Sequence, residues 1–171
     1  MEELSGLSDK ISLEIYNFQI DKQKAEEYKI DKIPATAIIG SKDYGIRYYG
    51  IPAGYEFTSL IEDVINVSKG ESGLSEETIA GLSQIQKNIH LQVFVTPTYP
   101  YCSGAVLLAH KFAIANDKIT ADMVEATEFP HLAIKYNVRG VPKTLINDEH
   151  SIEGAVPEKI LLEKIMEATN Q

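Results

Sequence analysis

The chain has 171 residues, 44% hydrophobic and 24% charged, which suits one large or two small folded domains and not a disordered chain. A net charge of −9 with pI near 4.9 argues against a nucleic-acid partner held by phosphate contacts and against anionic membrane surfaces. No apolar run approaches the roughly 20 residues of a membrane span and no secretory leader is visible in "MEELSGLSDK", so a cytoplasmic protein is expected.

Lys10 to Phe18 is a β-rich run and predicts a strand, followed by a short polar helix over Asp21 to Lys29. Ala35 to Gly40 and Gly45 to Gly50 read as a hairpin. Tyr55 to Lys69 is an amphipathic helix, with Phe57, Leu60, Ile61 and Val64 at i, i+3, i+4 and i+7. "GESGLSEETIAGLSQIQK" then holds a Gly/Ser-rich break and a helix, with Ser75 as N-cap and Glu76 and Glu77 in the first turn. His90 to Thr96 is a buried-type strand, and Ser103 to Asn116 a helix presenting Ala105, Leu108, Phe112 and Ala115 on one face. Ile119 to Ala126 reads as a strand, Phe129 to Asn137 as a helix, Lys143 to Asn147 and Ile152 to Ala155 as a hairpin. Pro157 opens a final helix with Leu161, Ile165 and Ala168 aligned.

The order of elements repeats. "SDKISLEIYNF" (Ser8 to Phe18) aligns with "NDKITADMVEA" (Asn116 to Ala126) at an offset of 108 residues. Tyr28 precedes Pro34 by six residues and Tyr136 precedes Pro142 by six, each pair again 108 apart. Residues 1–70 are read as an incomplete first module, 71–88 as a linker helix, and 89–171 as a complete β-α-β-α-β-β-α module. Projected back by the same offset, the loop from Tyr99 to Cys102 and the strand before it fall ahead of residue 1. The first module is therefore expected to lack its initial strand and loop.

Cys102 is the sole cysteine, so no intramolecular disulfide can form and no Cys-rich zinc site is available. His90, His110, His131 and His150 are spread without ligand-pair spacing and read as solvated or structural. Neither a metal nor a cofactor is expected.

The segments "VFVTPTYPYCSGAV", "IPATAIIGSKDYGIRYYGIPAGYEF", "GLSEET", "KITADMVEA" and "YNVRGVPKTLIN" together resemble the two-module protein disulfide oxidoreductases of thermophilic archaea and bacteria, also called glutaredoxin-like proteins. The resemblance covers nearly the whole chain and implies an α/β fold of tandem thioredoxin/glutaredoxin-like modules. It implies thiol–disulfide exchange at a Cys-x-x-Cys loop on a helix N-terminus, with protein or small-molecule disulfides as substrates. Here the loop reads Tyr99-Pro100-Tyr101-Cys102. Exchange needs a thiolate attacker and a second thiol to resolve the mixed disulfide. Carried over, Tyr99 stands at the attacker's position and Cys102 at the resolver's, so dithiol chemistry is expected to be crippled. Cys102 alone could still serve single-thiol, glutathione-linked exchange, its thiol lowered by the helix terminus and raised by burial. A third reading is a non-enzymatic peptide-binding or dimerisation module. An iron–sulfur site is disfavoured, because its ligand would be at position 99.

The resemblance further implies cis bonds at Val141–Pro142 and Ile33–Pro34, with Val141, Pro142, Ile33 and Pro34 lining grooves for an extended peptide. In such a fold the first strand is central. Its absence predicts that Lys10 to Phe18 and Ala35 to Gly40 either close on each other or pair with another chain in a homodimer. Tyr44, Tyr48, Tyr49 and Tyr55 suit such an interface, though strand tyrosines are the plainer account.

Overall fold

In the computed structural model, which describes residues 1–169, the two copies repeat the same hydrogen bonds at helix closure and strand entry. The chain divides into two compact units, residues 1–33 and 34 onward. The first holds α1 (Glu2–Ser5) and α2 (Lys22–Glu27). The second begins with β1 (Ala35–Ile39), β2 (Asp43–Tyr49), α3 (Tyr55–Lys69) and α4 (Glu76–Leu82). It continues through β3 (Ile89–Val95), α5 (Tyr101–Ala115), β4 (Ile119–Glu125), α6 (Pro130–Lys135), β5 (Lys143–Ile146), β6 (His150–Glu153) and α7 (Glu158–Thr169).

Helices α2 and α6 have the same bounds at the 108-residue offset. Ile30 N donates to Ala25 O at 2.8 Å, and Val138 N to Ala133 O at 2.8 Å. The turn that closes each helix passes through a left-handed residue, Lys29 at φ 53° and Asn137 at φ 49°. Gly50 N donates to Pro34 O at 2.9 Å, mirrored by Gly154 N to Pro142 O at 2.8 Å.

Six strands form one mixed sheet in the order β1-β2-β4-β3-β5-β6. Its centre is the near-continuous apolar run of β3, which pairs parallel with β4 and antiparallel with β5. The ladders β1–β2 and β5–β6 are antiparallel, while β2 and β4 run parallel. The architecture is thus a mixed α/β sheet with helices packed on it.

Lys10 to Phe18, expected as a strand, contains none. Its counterpart β4 is held by ladders to both β2 and β3. Ile11 to Asn17 has no ladder partner among the described residues, and Ile15 is left 73% exposed. A strand is a pairing and not a property of its own sequence, which is why the same residue pattern gives two outcomes. The Ile33–Pro34 bond also differs from expectation. Val141–Pro142 is the cis bond found among the described residues, and Ile33–Pro34 keeps the trans form that X–Pro bonds favour by about 0.5–1 kcal/mol.

Helix α3 turns a different face inward from the one its apolar spacing indicates. Phe57 is 48% exposed, and the buried positions are Glu56, Ser59, Leu60, Asp63 and Val67. Of the four tyrosines, Tyr44, Tyr48 and Tyr49 are buried within the chain and only Tyr55 is exposed. Ser75 does cap α4, accepting from Thr78 N at 3.2 Å.

Candidate active-site loop

Strand β3 ends at Val95 and α5 begins at Tyr101, so residues 96–100 make the turn between the central strand and the helix N-terminus. Tyr99 N donates to Thr96 O at 3.4 Å and Cys102 N to Tyr99 O at 3.1 Å. Pro100 occupies the N-cap with φ −65°, the value its ring imposes. Ser103 Oγ back-bonds to Pro100 O at 3.1 Å.

This turn sorts the side chains by access. Tyr99 is 44% and Tyr101 63% exposed, their rings tilted with centroids 5.4 Å apart. Cys102 is 0% exposed. Burial pushes its thiol above the ordinary range, a backbone hydrogen bond at Thr96 works the other way, and the charge of Glu56 pushes it up again. Burial is the largest of these effects and sets the direction.

Pro142, with its cis bond to Val141, leads directly into β5. Because Lys143 pairs with Phe94, Pro142 lies level with the end of β3, where the loop begins. Pro142 is buried and Val141 half-buried. The fold therefore brings Tyr99, Pro100, Tyr101, Cys102, Val141 and Pro142 to one end of the sheet. Pro34 leads into β1 and is separated from β3 by β2 and β4, about 14 Å at ordinary strand spacing. Ile33 closes the first unit and is exposed.

The loop is braced by the start of α3. Tyr55 N donates to Pro97 O at 3.2 Å. Gly54, at φ 57°, comes so close that an added Cβ would lie 2.3 Å from that same oxygen. Only glycine fits here on both counts.

Beneath the loop is a buried polar stripe that the sequence reading did not assign to the site. On α3 it comprises Glu56, Ser59 and Asp63, and on α5 Cys102 and His110. Ser59 Oγ donates to Glu56 Oε2 at 2.9 Å. Burial raises the Glu56 carboxyl to about 7, against opposing pulls from Ser59 and His110, while Asp63 adds to the rise. Tyr48 from β2 donates its hydroxyl to Asp63 Oδ2, and burial, followed by that carboxylate, raises the phenol well above its ordinary value. No group of three or more metal-ligating side chains occurs among the described residues.

Residues 89–167 match the family described as thioredoxin domain. The protein disulfide oxidoreductase of Aeropyrum pernix K1 superposes with a TM-score of 0.85 at 34% identity, over 93% of this chain and 69% of that one. The alkylhydroperoxide reductase AhpF of Enterococcus faecalis gives 0.89 at 28% identity, over 96% and 79%. The NADH dehydrogenase of Bacillus subtilis is 23% identical over 99% of this chain, which spans only 31% of that protein. The Aeropyrum pernix match and the thioredoxin-domain match, together with the sheet and the strand–loop–helix turn, carry one assignment. The chain belongs to the thioredoxin-like protein disulfide oxidoreductase family.

Proposed function

We propose that this chain retains the scaffold and peptide-binding wall of a thiol–disulfide oxidoreductase but does not cycle a dithiol. The observation that carries this reading is the single cysteine, Cys102, wholly buried behind an exposed Tyr99. A phenol at the exposed position cannot form or accept a mixed disulfide, and the one thiol is out of reach of a substrate. What is left for a partner is the backbone at Val141 before Pro142, able to pair with an extended, disulfide-bearing peptide. The matched hydrogen bonds support treating residues 1–70 and 89–171 as two modules joined through 71–88. A reducing, cytoplasmic setting suits a chain whose one thiol is free. The test is disulfide reduction with dithiothreitol or glutathione as reductant. The chain should give no rate above that of Cys102→Ser, and a Cys102-dependent rate would overturn the reading.

A second reading, single-thiol exchange through Cys102, is favoured by Glu56, whose carboxyl near 7 is suited to taking the thiol proton. It requires the loop to open. Trapping a glutathione adduct on Cys102 in the native chain would bring this reading forward.

The finer expectation of a homodimer rests on β1, which ends the sheet. A second copy adding a strand there would satisfy its outer backbone groups. Sedimentation that stays monomeric at all concentrations would remove it.

A further inference from the structure

The two copies share a scaffold but carry opposite charge at one helix end. Helices α2 and α6 have the same bounds at the 108-residue offset and close through the same hydrogen bond. Yet Glu27 and Asp31 in the first copy stand where Lys135 and Arg139 stand in the second. The first copy's acids are neutralised on the spot, Glu27 by Lys24 at 2.8 Å and Asp31 by Lys32 at 2.5 Å. Cations near a helix C-terminus are ordinarily credited to the helix dipole. Here the same closure forms with acids in their place, so the fold does not demand Lys135 or Arg139.

From Phe129 to Asn147 the second copy carries no Asp or Glu, in a chain with 25 of them. The cations of this stretch gather on the turn that ends α6. Lys135 Nζ lies 4.4 Å from the centroid of the Tyr136 ring and donates to its hydroxyl at 2.7 Å. Arg139 Nε donates to Asn137 Oδ1 at 3.0 Å, and Lys143 Nζ to Asn137 O at 3.2 Å. Lys143 is buried, with Glu153 at 3.8 Å. Lys135 and Arg139 are exposed, and neither has an ion-pair partner among the described residues. A neutral amide thus orients the guanidinium through Nε and leaves its two terminal amino groups for an outside acceptor.

Asn137 also lines an apolar groove, together with Ala126, Pro130, Ala133, Ile134 and Val138. Ile134 is 80% exposed there, and its counterpart in the first copy is Glu26. The acid adjoining the groove, Glu128, has its Oε1 occupied by Ile51 N at 2.7 Å. Gly140, between Arg139 and Val141, is exposed, and an added Cβ would meet nothing within 4 Å. The surface leading from the guanidinium to Val141 is therefore open, and two residues of chain span at most about 7 Å.

We infer that the peptide taken at Val141 is acidic. Arg139, with Lys135 beside it, binds a carboxylate side chain within about two residues of the one paired at Val141. An apolar neighbour of that carboxylate enters the α6 groove. The inference rests on the peptide wall of the proposed function and adds the class of peptide. Arginine suits the task because its planar fork meets both oxygens of a carboxylate. The net charge of −9 opposes an acidic ligand at a distance, but charges beyond about 8 Å are largely screened at physiological salt. At contact the acid-free stretch decides.

The experiment uses the whole chain and dye-labelled extended peptides, read by fluorescence anisotropy. Three peptides share one leucine in a threonine-rich background and differ only in the residues two places either side of it, which are Asp, Asn or Lys. The Asp peptide should bind about 10-fold more tightly than the Lys peptide at low salt, with Asn between, and the gap should close in high salt. Lys135→Glu with Arg139→Asp installs the residues around which the first copy's helix closes, and in that variant the order should invert. Asp and Lys peptides that bind the wild type equally overturn the inference and leave the wall standing. An order that the double variant keeps also overturns it, since another group would then read the charge. Should the double variant fail to fold, Arg139→Gln must cut the Asp preference about threefold or more, and an unchanged preference overturns the inference. Binding of none of the peptides overturns the inference and the wall together, whereas the lack of dithiol cycling is read only by the reductase assay.

Discussion

Glu56 and Cys102 head two parallel helices, and the charge of the carboxyl is one of the forces that keep the thiol protonated. Burial is the larger one. Together they leave little thiolate near neutral pH, and thiolate is the species that alkylates. Iodoacetamide should label Cys102 at least about 100-fold more slowly in the native chain than in a denatured control at pH 7. Rapid native labelling with a midpoint below the ordinary thiol range would show an exposed, activated thiol instead.

Tyr99→Cys should create a working pair. Position 99 is already exposed, Cys102 N already bonds to residue 99 O, and Pro142 stands beside the loop. The expected outcome is an intramolecular disulfide and measurable disulfide reductase activity, both lost again in Tyr99→Cys with Cys102→Ser. A revertant that forms the disulfide but reduces no substrate would locate the defect in the groove.

The Glu56 carboxyl titrates at about 7 when folded against an ordinary 4.5, so the folded state holds its proton more tightly. Its contribution is complete below the ordinary value and is lost as pH rises to about 7. The group should account for about 3 kcal/mol of falling stability across that window. Urea unfolding at pH 4.5 and pH 8 measures it. Glu56→Gln should flatten the pH dependence and make the variant more stable than wild type at pH 8. An unchanged slope would mean that the carboxyl ionises without penalty.

Strand β1 gives a prediction at the level of single amides. Gly50 N bonds Pro34 O, so by the alternation of an antiparallel ladder Thr36 faces β2 while Ala35 and Ala37 face away. Hydrogen exchange at Ala35 and Ala37 should be faster by about two orders of magnitude or more than at Val93 and Phe94 in β3. Equal protection would show that another chain covers the edge.

Much of this was legible in residues. The offset of 108 could be read from Tyr28, Pro34, Tyr136 and Pro142 because helix closure and strand entry make the same local demands in both copies. The strand–loop–helix turn around Tyr99 to Cys102 was legible for the same reason. The missing strand at Ile11 to Asn17 was not, since its counterpart owes its form to neighbours on both sides. The buried stripe was also hidden. Glu56 and Asp63 at i and i+7 look like the wet face of an amphipathic helix, and Phe57, Leu60, Ile61 and Val64 offer a more apolar alternative. His110 eight residues after Cys102 was the available clue, being two helical turns along the same face.

The parallel ladder from Ile46–Ala121 to Tyr49–Val124 is where one copy is sewn to the other. Gly45 lets that seam close, its missing side chain leaving room for Thr120. Helices α3 and α5 add a second seam through Asp63 and His110. Covalent continuity between α3 and α4 is then redundant for holding the pieces together. A protease that nicks the exposed turn at Gly70 and Glu71 should yield two fragments that travel as one particle through a sizing column, parting only in denaturant.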